Sequence, residues 1–214
     1  TFTSKGRGYI TVKVSGGTIG NDVADAEYGG HVFGGCMGSI TKQDGSANSQ
    51  WDKFATAKKT TVNVSNGTIK RSVIGGGEMG TVTTDAIVTV SGGTIGTEDK
   101  GGAEFGNVYG GGKGYFDRSN PESTTYVLAG IVKGNTSVTI QNGTSTSPEI
   151  LHNVYGGGAY GSVGTIRLDN ATYVPERSSA VANMPTAWER KTKAEDSEEY
   201  TGTDTGTATV TVTG

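Results

Sequence analysis

Residues 61–86 read TVNVSNGTIKRSVIGGGEMGTVTTDA, and the other recognisable patterns in the sequence are this stretch repeated with additions. Its first half alternates, with Val62 and Val64 apolar and Thr61, Asn63 and Ser65 polar. A period of two is that of a strand with one face toward a core. The run is punctuated by Asn66-Gly67, then continues through Thr68-Ile69 to a second half-motif, SVIGGGEMG from Ser72.

Both halves recur on either side. The first returns as TVKVSGGTIG from Thr11, IVTVSGGTIG from Ile87, SVTIQNGTST from Ser137 and TVTVTG from Thr209. The second returns as HVFGGCMG from His31, NVYGGGKG from Asn107 and NVYGGGAYG from Asn153. Spacing is uneven, but the order of the two halves never changes. At the bend the pairs are Gly16-Gly17, Asn66-Gly67, Gly92-Gly93 and Asn142-Gly143, and exchange of Gly only with Asn points to a backbone of positive φ.

Asn-Gly between apolar runs ordinarily marks a two-residue hairpin and an antiparallel sheet. Self-similarity outweighs that signal here, because like residues recur at like positions of widely separated strands. It predicts stacked coils with each strand parallel to its copy in the next, and apolar residues in internal columns. The columns would be Val12/Val62/Val88/Val138/Val210, Val32/Val73/Val108/Val154 and Phe33/Ile74/Tyr109/Tyr155. His31, Ser72, Asn107 and Asn153 would form a polar ladder beside them. At about 4.8 Å per strand, about four to five coils make a rod roughly 20 Å long.

Composition agrees with a narrow core. Hydrophobic residues are 32% of 214, and Gly, at 37, is more than twice its usual share of about 7%. The glycines show no three-residue period and Pro numbers four, which excludes collagen. A net charge of −3 offers no basic face for nucleic acid or an anionic membrane. No apolar run approaches the ~18 residues of a membrane span, so no membrane insertion is expected of this segment. Cys36 is the single cysteine, so no internal disulfide framework is expected. The chain opens without Met and stops just after beginning another copy, as a segment of a longer protein would. The whole of 1–214 is expected to be one domain.

The alternation of (V)xVSGGTIG with (N)VYGGG resembles the right-handed parallel β-helix repeats of large Gly- and Thr-rich surface proteins of Bacteroides-type gut bacteria, broadly pectate-lyase-like in fold. The motifs that carry it lie at 9–20, 31–38, 61–114, 136–161 and 207–214. The resemblance implies an all-β, right-handed parallel β-helix (β-solenoid) at the cell surface or outside the cell. It is nearly silent on activity, since fold does not fix function.

Extra residues are expected at two edges of the coil. One set follows the GGTIG turn, at 20–30, 97–106 and 144–151; the other follows the triple Gly, at 39–60, 115–135 and 162–206. Equivalent inserts should emerge along one edge, where binding surfaces tend to be built. The second set carries Trp51, Tyr115, Phe116, Tyr126 and Trp188, whose rings suit stacking on sugars and are the ligand-binding candidates. The simpler alternative is that they pin long inserts onto the coil.

Catalytic signals are sparse. Asp22, Asp25 and Glu27 lie in one turn insert and Glu98, Asp99 and Glu104 in its equivalent, so two acidic loops could line an edge or hold calcium. Solvated surface charge is the simpler reading of both. The calcium-binding GGxGxD repeat and the phosphate-binding GxxxxGK[ST] loop are both missing. His31, His152 and Cys36 lack metal-ligand spacing, so no metal and no cofactor is assigned. Asn-x-Ser/Thr triplets at Asn63, Asn66, Asn135, Asn142 and Asn170 follow from the repeat itself. The leading expectation is therefore a non-enzymatic stalk or adhesin segment whose loops meet a polysaccharide or host glycan. The alternative is a polysaccharide lyase or glycoside hydrolase on the same scaffold.

Overall fold

The computed structural model describes residues 8–21, 29–46, 48, 54–97, 105–116, 128–164 and 206–214. Among them are strands and no helix. The strands are β1 (Tyr9–Ile19), β2 (Val32–Phe33), β3 (Thr56–Ala57), β4 (Lys59–Ile69), β5 (Val73–Ile74), β6 (Thr81–Val82) and β7 (Ala86–Val90). They continue as β8 (Gly93–Ile95), β9 (Val108–Tyr109), β10 (Thr136–Gln141), β11 (Pro148–Ile150), β12 (Val154–Tyr155) and β13 (Ala208–Thr213).

All pairings among the described strands are parallel and fall into three ladders. The largest sheet stacks β1, β4, β7, β10 and β13 in chain order, with β8 and β11 continuing it past the bend of β4. The second sheet stacks β2, β5, β9 and β12. The third is β3 on β6, extended by single bridges from Val82 to Val132 and from Val132 to Val163. Each copy meets these ladders in the same order, so β4, β5 and β6 are followed by β7, β9 and Val132.

Register reproduces the apolar columns. Val12 pairs with Val62, Val62 with Val88, Val88 with Val138 and Val138 with Val210. Val64, Val90 and Ile140 are buried one alternation further on, and the Val32, Val73, Val108 and Val154 column faces them in the same core. Ile19, Ile69, Ile95 and Ile150, which follow the bend in each copy, add a column that alternation had not singled out. Two buried hydroxyls lie within this framework. Thr60 Oγ1 donates to the Gly75 carbonyl at 2.7 Å, and Thr136 Oγ1 to the Gly156 carbonyl at 2.6 Å.

The column of Phe33, Ile74, Tyr109 and Tyr155 is in register but not internal. These residues follow the core-facing valines directly, so they point from the opposite face of the sheet. Ile74 and Tyr109 are nonetheless buried there, and the Tyr109 and Tyr155 rings stack at 5.0 Å with 7° between their planes.

Glycine acts in two ways. At the bend, positive φ falls on the second residue, 78° at Gly17, 100° at Gly67 and 86° at Gly93. Asn66 is not in that conformation, so the Gly/Asn exchange at the first position does not report it. In the triple Gly the requirement is close approach instead. A Cβ on Gly35, Gly76 or Gly111 would fall 2.7, 2.7 or 2.6 Å from the backbone nitrogen of Gly77, Gly112 or Gly158 in the next copy.

Extra residues enter at more joints than the two expected. Gly20 and Gly30 are neighbours in space, as are Gly96 and Gly106, with a Cβ on either Gly20 or Gly96 landing within 2.8 or 2.6 Å of its partner's Cα. Their counterparts Lys70 and Arg71 are consecutive, donating to the Ile19 and Gly30 carbonyls at 2.9 and 3.1 Å. In the fourth copy β11 pairs with β8, Pro148 against Gly93, so residues 142–147 stand where the third copy has Gly92. Thr146 Oγ1 there donates to the Ser91 carbonyl at 3.0 Å. The longest addition also moves. Val163 already lies on the third ladder, and the chain departs at Gly164 and returns beside it at Gly206, after that ladder and not before it.

Candidate functional site

Two hydrogen-bond ladders run along the stack. Ser72 N–H donates to His31 Nδ1 at 3.3 Å, Asn107 N–H to Ser72 Oγ at 3.2 Å, and Asn153 N–H to Asn107 Oδ1 at 3.1 Å. His31 is thus a rung, accepting through Nδ1. The polar column expected from the sequence is present. A second ladder precedes the long strands, where Asn135 N–H donates to Asp85 Oδ1 at 3.0 Å and Thr207 N–H to Asn135 Oδ1 at 2.9 Å. Its signal was the acid or amide just before a Thr or Ala strand start, hidden because the third ladder beside it is only one or two residues wide.

Among the described residues, ionisable groups pair between copies and do not converge on one place. Glu78 and Lys113, equivalent residues after the triple Gly, pair at 3.3 Å, and Lys59 meets Asp85 at 3.8 Å. Both contacts link neighbouring copies, so they read as rungs of the stack. Arg71 is buried with its guanidinium 4.6 Å from the Phe105 ring centroid. Cys36 is a half-buried free thiol. Among the described residues no group of three or more His, Cys, Asp or Glu is placed to hold a metal ion. The acidic loop residues Asp22, Asp25, Glu27, Glu98, Asp99 and Glu104 lie outside the described residues.

Of the aromatic candidates, Tyr115 and Phe116 are described and Trp51, Tyr126 and Trp188 lie outside the described residues. Tyr115 is 37% and Phe116 45% exposed. Phe116 stacks on Tyr160, 43% exposed, with centroids 6.1 Å apart and 17° between planes. Tyr160 follows the triple Gly of the next copy, and its N–H donates to the Lys113 carbonyl at 2.6 Å, which sets it against Gly114, two residues before Phe116. Tyr160 was not among the residues expected to bind, because the position it occupies is Gly114 and Met79 in the earlier copies and carries no repeated aromatic. Trp188 belongs to the segment between Gly164 and Gly206, two residues that adjoin each other, whereas Tyr115 and Phe116 come directly after Gly114.

The arrangement therefore offers flat, exposed rings with parallel planes at one corner of a regular scaffold. Such a surface can stack on an apolar ring face. Comparison with protein-family models, with curated proteins and with solved structures finds no match.

Proposed function

We propose that the chain is a segment of a right-handed parallel β-solenoid that serves as a stalk or adhesin at a cell surface or in a secreted protein, carrying a glycan-binding corner. The observation behind this reading is that the first four copies meet three parallel ladders in the same order, with like residues in register. Right-handed connection is the general rule for parallel crossovers. A scaffold of this kind repeats equivalent positions along its length, which suits a spacer with a repeated contact surface. The glycan reading rests on the exposed, stacked Phe116 and Tyr160 beside Tyr115.

A glycan array probed with the folded chain tests it. Binding that falls at least several-fold in Phe116→Ala and in Tyr160→Ala supports the adhesin role and assigns the site to this corner. Loss instead in Trp51→Ala or Trp188→Ala moves it to the longer segments. No binding to any glycan or host extract reduces the proposal to a stalk. Release of unsaturated or reducing ends from uronate polymers, assayed with and without calcium, would replace it with the lyase or hydrolase reading.

A further inference from the structure

The repeat contains two Asn-Gly pairs, and their surroundings differ. Asn66 is exposed, and its Oδ1 accepts a hydrogen bond from the Gly67 N–H at 2.8 Å. The side-chain carbonyl is thus folded back against the backbone nitrogen of the next residue. Gly67 is also passed over in the register of β1 on β4, which steps from Ser15–Asn66 to Thr18–Thr68. In the other pair the Gly143 N–H donates to the Thr146 carbonyl at 2.8 Å, which commits that nitrogen to the 142–147 loop.

We infer that Asn66-Gly67 is a site of spontaneous deamidation through a succinimide, and that the fold protects Asn142-Gly143 from the same reaction. Gly67 N forms a bond to Asn66 Cγ, the bond from Cγ to the side-chain nitrogen breaks, and ammonia leaves with the proton given up by the Gly67 amide. Water then opens the ring. Attack at the side-chain carbonyl yields aspartate; attack at the main-chain carbonyl yields isoaspartate. No oxidant or reductant is needed. Holding nucleophile and carbonyl in contact removes much of the entropic cost of closure. Gly, lacking a Cβ, leaves the approach open.

The products differ in fit. Aspartate keeps the backbone and adds a negative charge at the bend. Isoaspartate adds a methylene to a main chain already in contact, since a Cβ on Gly67 would sit 2.8 Å from the Gly17 carbonyl oxygen.

Ageing the folded 214-residue chain at mildly alkaline pH, followed by proteolytic mapping with mass spectrometry, reads both sites in one sample. Conversion at Asn66 should outpace that at Asn142 several-fold, and the difference should collapse when the same chain is aged in denaturant. Equal rates in the folded chain, faster conversion at Asn142, no conversion at either, or a ratio unchanged by unfolding would overturn the inference. Asn66→Gly, which copies Gly16 and Gly92, should abolish most of the acidic charge variant formed by the folded chain; its undiminished appearance would also overturn it.

Discussion

Gly76 and Gly157 hold the same place in the triple-Gly motif, yet their surroundings differ. A Cβ on Gly76 would press on Gly112, at 2.7 Å from its nitrogen and 2.8 Å from its Cα, whereas one on Gly157 meets nothing within 4 Å. Gly76→Ala should therefore cost about 1–3 kcal/mol through forced separation of two backbones. Gly157→Ala should stay within about 0.5 kcal/mol. Urea unfolding of the two variants checks this, and equal losses would show that the glycines serve conformation and not contact. The sequence made the triple Gly visible as a signature, and the interstrand distances show that close approach is what it serves. The bend misled in the opposite way. Asn66 replaces Gly at the first position, while the residue that needs positive φ is the constant Gly67 beside it.

At the scale of elements, stability comes from ladders in which each copy satisfies the next. Asn107 is 1% exposed, and its Oδ1 receives the Asn153 N–H. Removing that acceptor in Asn107→Ala should cost about 0.5–1.5 kcal/mol, the usual net worth of one hydrogen bond, because Asn153 itself is exposed and water can take its N–H. Asn107→Ser should cost less, because Ser72 already performs the same task one copy earlier, at 3.2 Å from the Asn107 nitrogen. Thermal denaturation of both variants distinguishes them, and an equal loss would mean that the side chain matters for packing and not for the rung. The long strands and this polar column were legible because they recur with period and position intact. The third ladder was not, since Ala57, Val82, Val132 and Val163 contribute one or two residues each and leave no alternation to detect. Tyr115 and Phe116 were legible as aromatic residues of an insert, whereas their neighbour Tyr160 was not, because its counterparts in the earlier copies are Gly114 and Met79.

For the whole molecule, position along the stack decides what a residue is worth. Val90 and Val212 occupy one column, yet Val90 is 0% and Val212 69% exposed, because β13 pairs only with β10 while β7 lies between β4 and β10. A carboxylate at Val90 would have no partner in a dry interior and should cost several kcal/mol. Val212→Asp should cost no more than about 1 kcal/mol, since its side chain already meets water. Comparing the chemical-denaturation midpoints of the two variants in the same chain tests the nearest-neighbour picture directly. Similar losses at both positions would refute it.

The glycine necks carry a consequence for how such a chain can change over generations. Gly20 adjoins Gly30, Gly96 adjoins Gly106 and Gly164 adjoins Gly206, so the two ends of each intervening segment stand at nearly the same point of the scaffold. Whatever lies between those points is open to lengthening, shortening or replacement, while the strands on either side keep their partners. Surface novelty and scaffold integrity are thereby placed under separate heredity. Two descendants of this chain could share a core residue for residue and have almost no surface in common.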